Sequence, residues 1–181
     1  KAKGGQGIRL LTGAVSSPVL ADAINRFLGA YPSAKWHVWE PVGRGNSHEG
    51  SVLAFGKPLD AVYSFKEAKV IVSLDSDFLS PSSNPGSVRY AREFADGRRV
   101  TGFKGEMNRL YAFESSPGLV GAMADHRWPM KAAEVYGVAA AIAAAVGVAG
   151  VDGTSKIPVA APEMLALVKD LQAAGGNALV V

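Results

Sequence analysis

The 181-residue sequence is 48% hydrophobic and 19% charged, with a formal net charge of +3 at pH 7. This balance excludes a disordered chain and indicates a protein with a substantial buried core. Lysine and arginine are scattered along the sequence rather than massed in one stretch, so we expect no nucleic-acid partner. The sequence has no cysteine, which excludes disulfides, thiolate metal sites and cysteine-ligated iron–sulfur clusters within this chain.

The length is typical of one domain, and we predict a single α/β domain over residues 1–181. No stretch is long and apolar enough for a membrane span, and none resembles a signal peptide, so we expect no direct membrane insertion. The sequence begins at Lys1 and ends in a strand-like run, from which we expect a fragment of a longer polypeptide.

Strand-like and helix-like segments alternate along the chain, which is the pattern of a doubly wound, mainly parallel α/β sheet with helices on both faces. Short apolar runs predict strands over residues 8–12, 35–42, 60–65, 70–74, 109–113 and 177–181. Helical spacing predicts helices over residues 18–31, 47–55, 87–95, 130–146 and 162–174. We expect these side chains to face inward on the third and last helices: Val88, Ala91, Phe94, Leu165, Val168 and Leu171.

The strand over residues 70–74 is the expected centre of the sheet. Its run of Val70, Ile71, Val72 and Leu74 suits a strand that is buried on both faces. A polar loop beginning at Asp75 follows directly. In open α/β sheets, ligands bind at the carboxyl ends of the strands, so this loop marks the expected ligand edge.

Carboxylates stand at the ends of several predicted strands. Asp75 and Asp77 share one loop, where they could hold magnesium, act in acid–base chemistry or cap the following turn. Glu40 and Glu114 follow two other strands. Because parallel strands end on the same side of a sheet, we expect all four carboxylates to lie on one rim.

Other motifs give weaker signals. The loop over residues 12–17 retains only the first glycine of a dinucleotide fingerprint, and a tight turn with a serine cap explains it better. His37, His48 and His126 lack metal-ligand spacing, and no catalytic serine motif is present. We therefore expect no metal site, and we do not expect this domain alone to catalyse a reaction.

Several short stretches together resemble a known family. They are residues 34–37 (Ala-Lys-Trp-His), 39–42 (Trp-Glu-Pro-Val), 74–79 (Leu-Asp-Ser-Asp-Phe-Leu), 88–94 (Val-Arg-Tyr-Ala-Arg-Glu-Phe), 107–111 (Met-Asn-Arg-Leu-Tyr), 114–117 (Glu-Ser-Ser-Pro) and 121–127 (Gly-Ala-Met-Ala-Asp-His-Arg). In combination they resemble the molybdopterin oxidoreductase-like subunit of alternative complex III, a quinol:electron-acceptor oxidoreductase. The resemblance extends from about residue 11 to residue 145.

The resemblance implies one domain of the formate dehydrogenase/dimethyl sulfoxide reductase type within a larger subunit. In complete molybdopterin enzymes of that type, a comparable domain holds part of a molybdopterin guanine dinucleotide through Gly-x-Asn-Pro, Asp-Pro-Arg and Ala-Asp motifs. The residues of this sequence at the first two motifs, which would contact such a cofactor if one binds, are Asp75, Ser76, Asp77, Glu114 and Ser115. Ala124-Asp125 matches the third motif.

This sequence lacks the asparagine, proline and arginine of those motifs, and an acidic loop repels a pyrophosphate. We therefore expect a cofactor-free, structural domain of a respiratory quinol-oxidising electron-transfer complex. The resemblance implies partners in the iron–sulfur domains of the same subunit and in membrane-complex subunits, on the periplasmic side. The alternatives are a true molybdopterin guanine dinucleotide-binding domain of an active molybdoenzyme and an independent Rossmann-type nucleotide-binding enzyme.

Overall fold

The computed structural model describes residues 3–41, 43, 45–81, 86–102, 105–154 and 156–181. The chain divides into two compact units, Lys1–Ala61 and Val62–Val181. Each unit has its own parallel sheet, of two strands in the first and four in the second. That all 181 residues act as one domain stays a prediction.

The first unit contains strand β1 (Arg9–Thr12), helix α1 (Pro18–Ala30), strand β2 (Lys35–Val38) and helix α2 (Gly45–Phe55). The two strands pair in parallel. Ser17 caps α1 as predicted, because its hydroxyl accepts a hydrogen bond from Leu20 N at 3.3 Å. Strand β2 is shorter than predicted, and residue 42 of the predicted strand lies outside the described residues.

The second unit contains a four-stranded parallel sheet in the order β5-β4-β3-β6. Its strands are β3 (Val70–Leu74), β4 (Arg109–Glu114), β5 (His126–Pro129) and β6 (Ala178–Val180). Its helices are α3 (Ser87–Asp96), α4 (Leu119–Met123), α5 (Ala132–Ala145) and α6 (Ala161–Ala174), and a short 3-10 helix (Gly175–Asn177) precedes β6.

Strand β3 lies inside this sheet and is covered on both faces, as its apolar run predicts. Val70 and Val72 pack with Val138 of α5 and Leu167 of α6 in one core cluster. Ile71 packs into the opposite cluster, which is formed largely by α3, α4 and aromatic side chains from the loops. The prediction of an α/β fold with helices and mainly parallel sheets is therefore confirmed, although the strands form two sheets and not the single sheet that was predicted.

The predicted edge strand over residues 60–65 is wrong, because the described structure has no strand there. Side chains of α3 accept the hydrogen bonds that a neighbouring strand would otherwise accept from this segment. Phe65 N donates to the Glu93 carboxylate at 2.9 Å, and Tyr63 N donates to the Tyr90 hydroxyl at 3.3 Å. Phe65 itself is fully buried, so the segment is fixed by side-chain packing rather than by a strand ladder.

Two residues that were predicted to face inward are exposed instead. Val88 is 78% exposed, and Tyr90 fills the core position on α3. Leu165 is 56% exposed, and Leu167 is buried on α6. Helix α4 and strand β5 were not predicted at all; each has only four or five residues, which is too short for a clear periodicity.

Helix α5 lies close to its neighbours because its alanines add little bulk. Ala140 is 6% exposed, and the chain at Gly153 passes so near that a Cβ there would come within 2.7 Å of Ala144 Cβ. We expect Ala140→Leu to destabilise the protein by about 1–3 kcal/mol through overpacking. The matched control is Ala133→Leu, at an exposed position of the same helix, which we expect to be near neutral.

Urea unfolding of both variants tests the packing of α5. Equal midpoints for Ala140→Leu and Ala133→Leu would show that Ala140 is not closely packed.

Candidate functional site

The carboxyl ends of β3 and β4 enclose a small cavity of about 210 Å³. Its walls come from the loop after β3 and from the loop that leads from β4 into α4. The polar side chains that line it are Ser73, Asp75, Ser76, Asp77, Glu114 and Ser116. We call this cavity and its lining residues the rim.

Asp75 joins the ends of the two central strands. Its carboxylate accepts hydrogen bonds from Ser115 N at 2.8 Å and from the Ser115 hydroxyl at 2.8 and 3.0 Å. Asp75 N donates to Phe113 O at 2.7 Å, which extends the pairing of β3 with β4 by one residue. The φ of Asp75 is 56°, in the left-handed region that aspartate tolerates better than most residues. This backbone turn takes the chain out of the sheet.

Asp77 holds the start of α4. One carboxylate oxygen accepts from Val120 N at 3.1 Å and the other from Leu119 N at 3.3 Å. Gly118 leaves room for this contact, since a Cβ there would lie 3.0 Å from Asp77 Cγ. The helix N–H groups that could bind an anion therefore already have a carboxylate partner in the chain.

Glu114 is the most buried carboxylate of the rim, with 7% of its surface exposed. Its Oε1 accepts a hydrogen bond from Arg127 Nε of the neighbouring strand β5 at 2.5 Å, and its Oε2 accepts from Gly118 N at 3.3 Å. The side chain lies directly against Gly121 of α4, where an added Cβ would overlap the carboxylate. Burial of this charge is offset by an ion pair and by a backbone donor.

Four of the five predicted cofactor-contacting residues, Asp75, Ser76, Asp77 and Glu114, line one cavity, and the fifth, Ser115, is bonded to Asp75. Glu40 does not end a strand of this sheet, because β2 pairs with β1 in a separate sheet. There its carboxylate accepts from Ala14 N. The expectation that Glu40 shares one sheet edge with the other carboxylates is therefore wrong.

Asp125 lies at the opposite, amino edge of the sheet. Its carboxylate accepts from Leu110 N at 2.8 Å and from both terminal nitrogens of Arg98. Partial burial raises the pKa of Asp125, but the hydrogen bonds from Arg98 and Leu110 outweigh it and lower the pKa below its usual value. Asp125 therefore links the loop after α3 to the start of β4, and it lies at the opposite edge of the sheet from the rim.

The size and the charge of the rim are unfavourable for a guanine dinucleotide. The cavity is smaller than the roughly 300–1,000 Å³ of most ligand pockets, and the α4 amides are bonded to Asp77. A carboxylate and a phosphate about 4 Å apart repel by about 1 kcal/mol in water and about 4 kcal/mol at an effective dielectric constant of 20. Among the described residues, no group of three or more carboxylate or histidine side chains is placed to hold a metal ion.

The sequence pattern did not reveal that Arg127 and Gly121 contact Glu114. Arg127 lies on β5, which was not predicted, so its partner could not be assigned. The two glycines Gly118 and Gly121, three residues apart, follow Glu114 closely. That spacing was the available signal that a side chain packs against this short helix.

Comparison with protein-family models found no match, and a search of curated proteins also found none. Within the described residues, the helices are too short or too polar to cross a lipid bilayer. The assignment of a function therefore depends on the sequence motifs and on the geometry of the rim.

The contact between Gly121 and Glu114 gives a direct test of the rim. We expect Gly121→Ala to destabilise the protein by about 1–3 kcal/mol, because its methyl group would displace the buried carboxylate. The matched control is Gly176→Ala in the same unit, where an added Cβ meets no atom within 4 Å, and we expect little change. Thermal unfolding of both variants measures the difference. Equal stability of the two would contradict the packing of Glu114 against α4.

Proposed function

We propose that this chain is a molybdopterin oxidoreductase-like domain that binds no cofactor and serves as a structural part of a quinol-oxidising electron-transfer complex. The motifs that resemble the subunit of alternative complex III support the family and the fold type. One observation supports the absence of a cofactor: all three rim carboxylates accept hydrogen bonds from groups of the same chain. Asp75 accepts from Ser115, Asp77 accepts from the first N–H groups of α4, and Glu114 accepts from Arg127.

A cofactor-binding version of this edge would direct backbone amides and neutral or basic side chains at the phosphates. Here carboxylates of the same chain take those amides, and Arg127, which could have met a phosphate, is bonded to Glu114. Opening the rim would leave the buried Glu114 carboxylate without its partners Arg127 and Gly118 N. The arrangement supports a rim that stabilises the fold rather than one that receives a ligand.

The proposal extends to the setting of the domain. Its partners would be the iron–sulfur domains of the same subunit and the membrane-complex subunits, on the periplasmic side. In that setting the domain has a structural role, and electron transfer takes place in the cofactor-bearing parts of the complex.

Calorimetric titration with GDP, the guanine-nucleotide half of the cofactor, tests the proposal. We expect no measurable binding in the absence of divalent metal, because the rim carboxylates repel the phosphates. Tight binding without metal would contradict the proposal and support a true guanine dinucleotide-binding domain.

Magnesium gives a second arm of this titration. If binding is seen only with magnesium, a cation bridges the phosphates to the rim, and Asp75→Asn should abolish it. Asparagine tolerates the positive φ at this position, so the backbone turn is retained. Asp96→Asn, on an exposed face of α3, removes the same charge elsewhere and is the matched control. An equal effect of both variants would exclude the rim as the binding site.

A further inference from the structure

A second cleft of about 660 Å³ lies between helix α6 and the aromatic side chains of β4 and β5. Its floor contains Tyr111, His126 and Trp128, and its wall on α6 contains Glu163, Lys169 and Asp170. We call it the aromatic groove. Its volume falls within the usual range for small-molecule sites, unlike that of the rim.

The floor of the aromatic groove is held rigidly. The rings of Tyr111 and His126 stack with centroids 4.8 Å apart, and Tyr111 and Trp128 are nearly parallel at 6.1 Å. Each of two rings is also tied to α6: Trp128 Nε1 donates to Glu163 Oε2 at 2.9 Å, and the Tyr111 hydroxyl donates to Asp170 Oδ2 at 2.6 Å. A site whose side chains are already ordered loses little entropy when a ligand binds.

The chemistry of the tyrosine agrees with this fixed arrangement. Partial burial and the hydrogen bond to Asp170 raise the pKa of Tyr111 to about 12, so the hydroxyl remains protonated at neutral pH. Asp170 also pairs with Arg109, which neutralises that cation. These three groups are therefore part of the wall and offer no free charge to a ligand.

Polar groups that could bind a ligand remain at the two ends of the groove. Among the described residues, the exposed Lys169 ammonium has no hydrogen bond or ion pair, and the exposed His126 ring interacts electrostatically with the Asp125 and Asp170 carboxylates without a direct hydrogen bond. At the other end, Glu163 uses Oε2 for Trp128 and for Ala160 N, and Oε1 has no partner within the described residues. Glu163 and Lys169 are six positions apart on helix α6, which corresponds to a rise of about 9 Å.

We infer that the aromatic groove binds a small planar aromatic carboxylate with a hydrogen-bond donor at its opposite end. The ring lies along Trp128 and His126, which are half-buried and exposed respectively. The carboxylate meets Lys169 and the His126 imidazole, and the donor meets Glu163 Oε1. Glu163 would repel a second anionic group, which sets the orientation of the ligand. This site is independent of the rim and of the function proposed above.

The test uses the 181-residue chain and 4-aminobenzoate, which carries a carboxylate and an amino donor at opposite ends of one ring. Protein-observed or ligand-observed NMR titration gives the dissociation constant. We expect saturable binding in the millimolar range or tighter, with benzoate weaker because it lacks the donor, and cyclohexanecarboxylate weaker again because it cannot stack.

Lys169→Gln is the decisive variant, because the side chain is exposed and its loss leaves no buried gap. We expect it to weaken 4-aminobenzoate binding by about tenfold, the loss typical of a charge-assisted hydrogen bond. Lys66→Gln, outside the groove, is the matched control and should leave the binding unchanged. No saturable binding up to about 10 mM, or equal affinities for the two variants, would overturn the inference.

Discussion

Parallel strands end together, and the backbone N–H groups just beyond their last ladder bonds need partners if that edge is to be closed. In the second unit of this protein, Asp75 and Asp77 meet that need with their carboxylates, while Glu114 adds a buried ion pair to Arg127. The loops after β3 and β4, and the short helix α4, depend on these contacts. The same contacts occupy the amides at which α/β proteins of related architecture bind phosphate.

Donors within the chain explain why this edge can support three carboxylates. Glu114 is largely removed from water, so its charge is tolerated only with Arg127 and the Gly118 amide beside it. Gly121 provides the space that the side chain requires. A larger residue at position 121 would therefore disturb the ion pair between Glu114 and Arg127. Loss of that ion pair would in turn weaken the attachment of α4 and of the end of β4.

The sequence predicted those parts of the fold that local chemistry determines. The apolar run at Val70–Leu74 identified a strand buried on both faces, and Ser17 with Pro18 identified the start of α1. The predictions from the sequence were wrong where contacts between distant residues determine the local structure. Residues 60–65 resemble a strand, yet the Glu93 carboxylate and the Tyr90 hydroxyl take their N–H groups. The site was predictable as a cluster on one edge, but the partners of each carboxylate depended on β5 and α4, which are too short to recognise.

The structural role of the rim depends most directly on the ion pair between Glu114 and Arg127. A double-mutant cycle of Glu114→Gln and Arg127→Gln, followed by urea unfolding, measures their coupling free energy. We expect a coupling of about 1–3 kcal/mol, against less than about 0.5 kcal/mol for the exposed pair of Asp96 and Arg99. A coupling for Glu114 and Arg127 as small as that of the exposed pair would contradict the account and leave the rim free to serve a ligand.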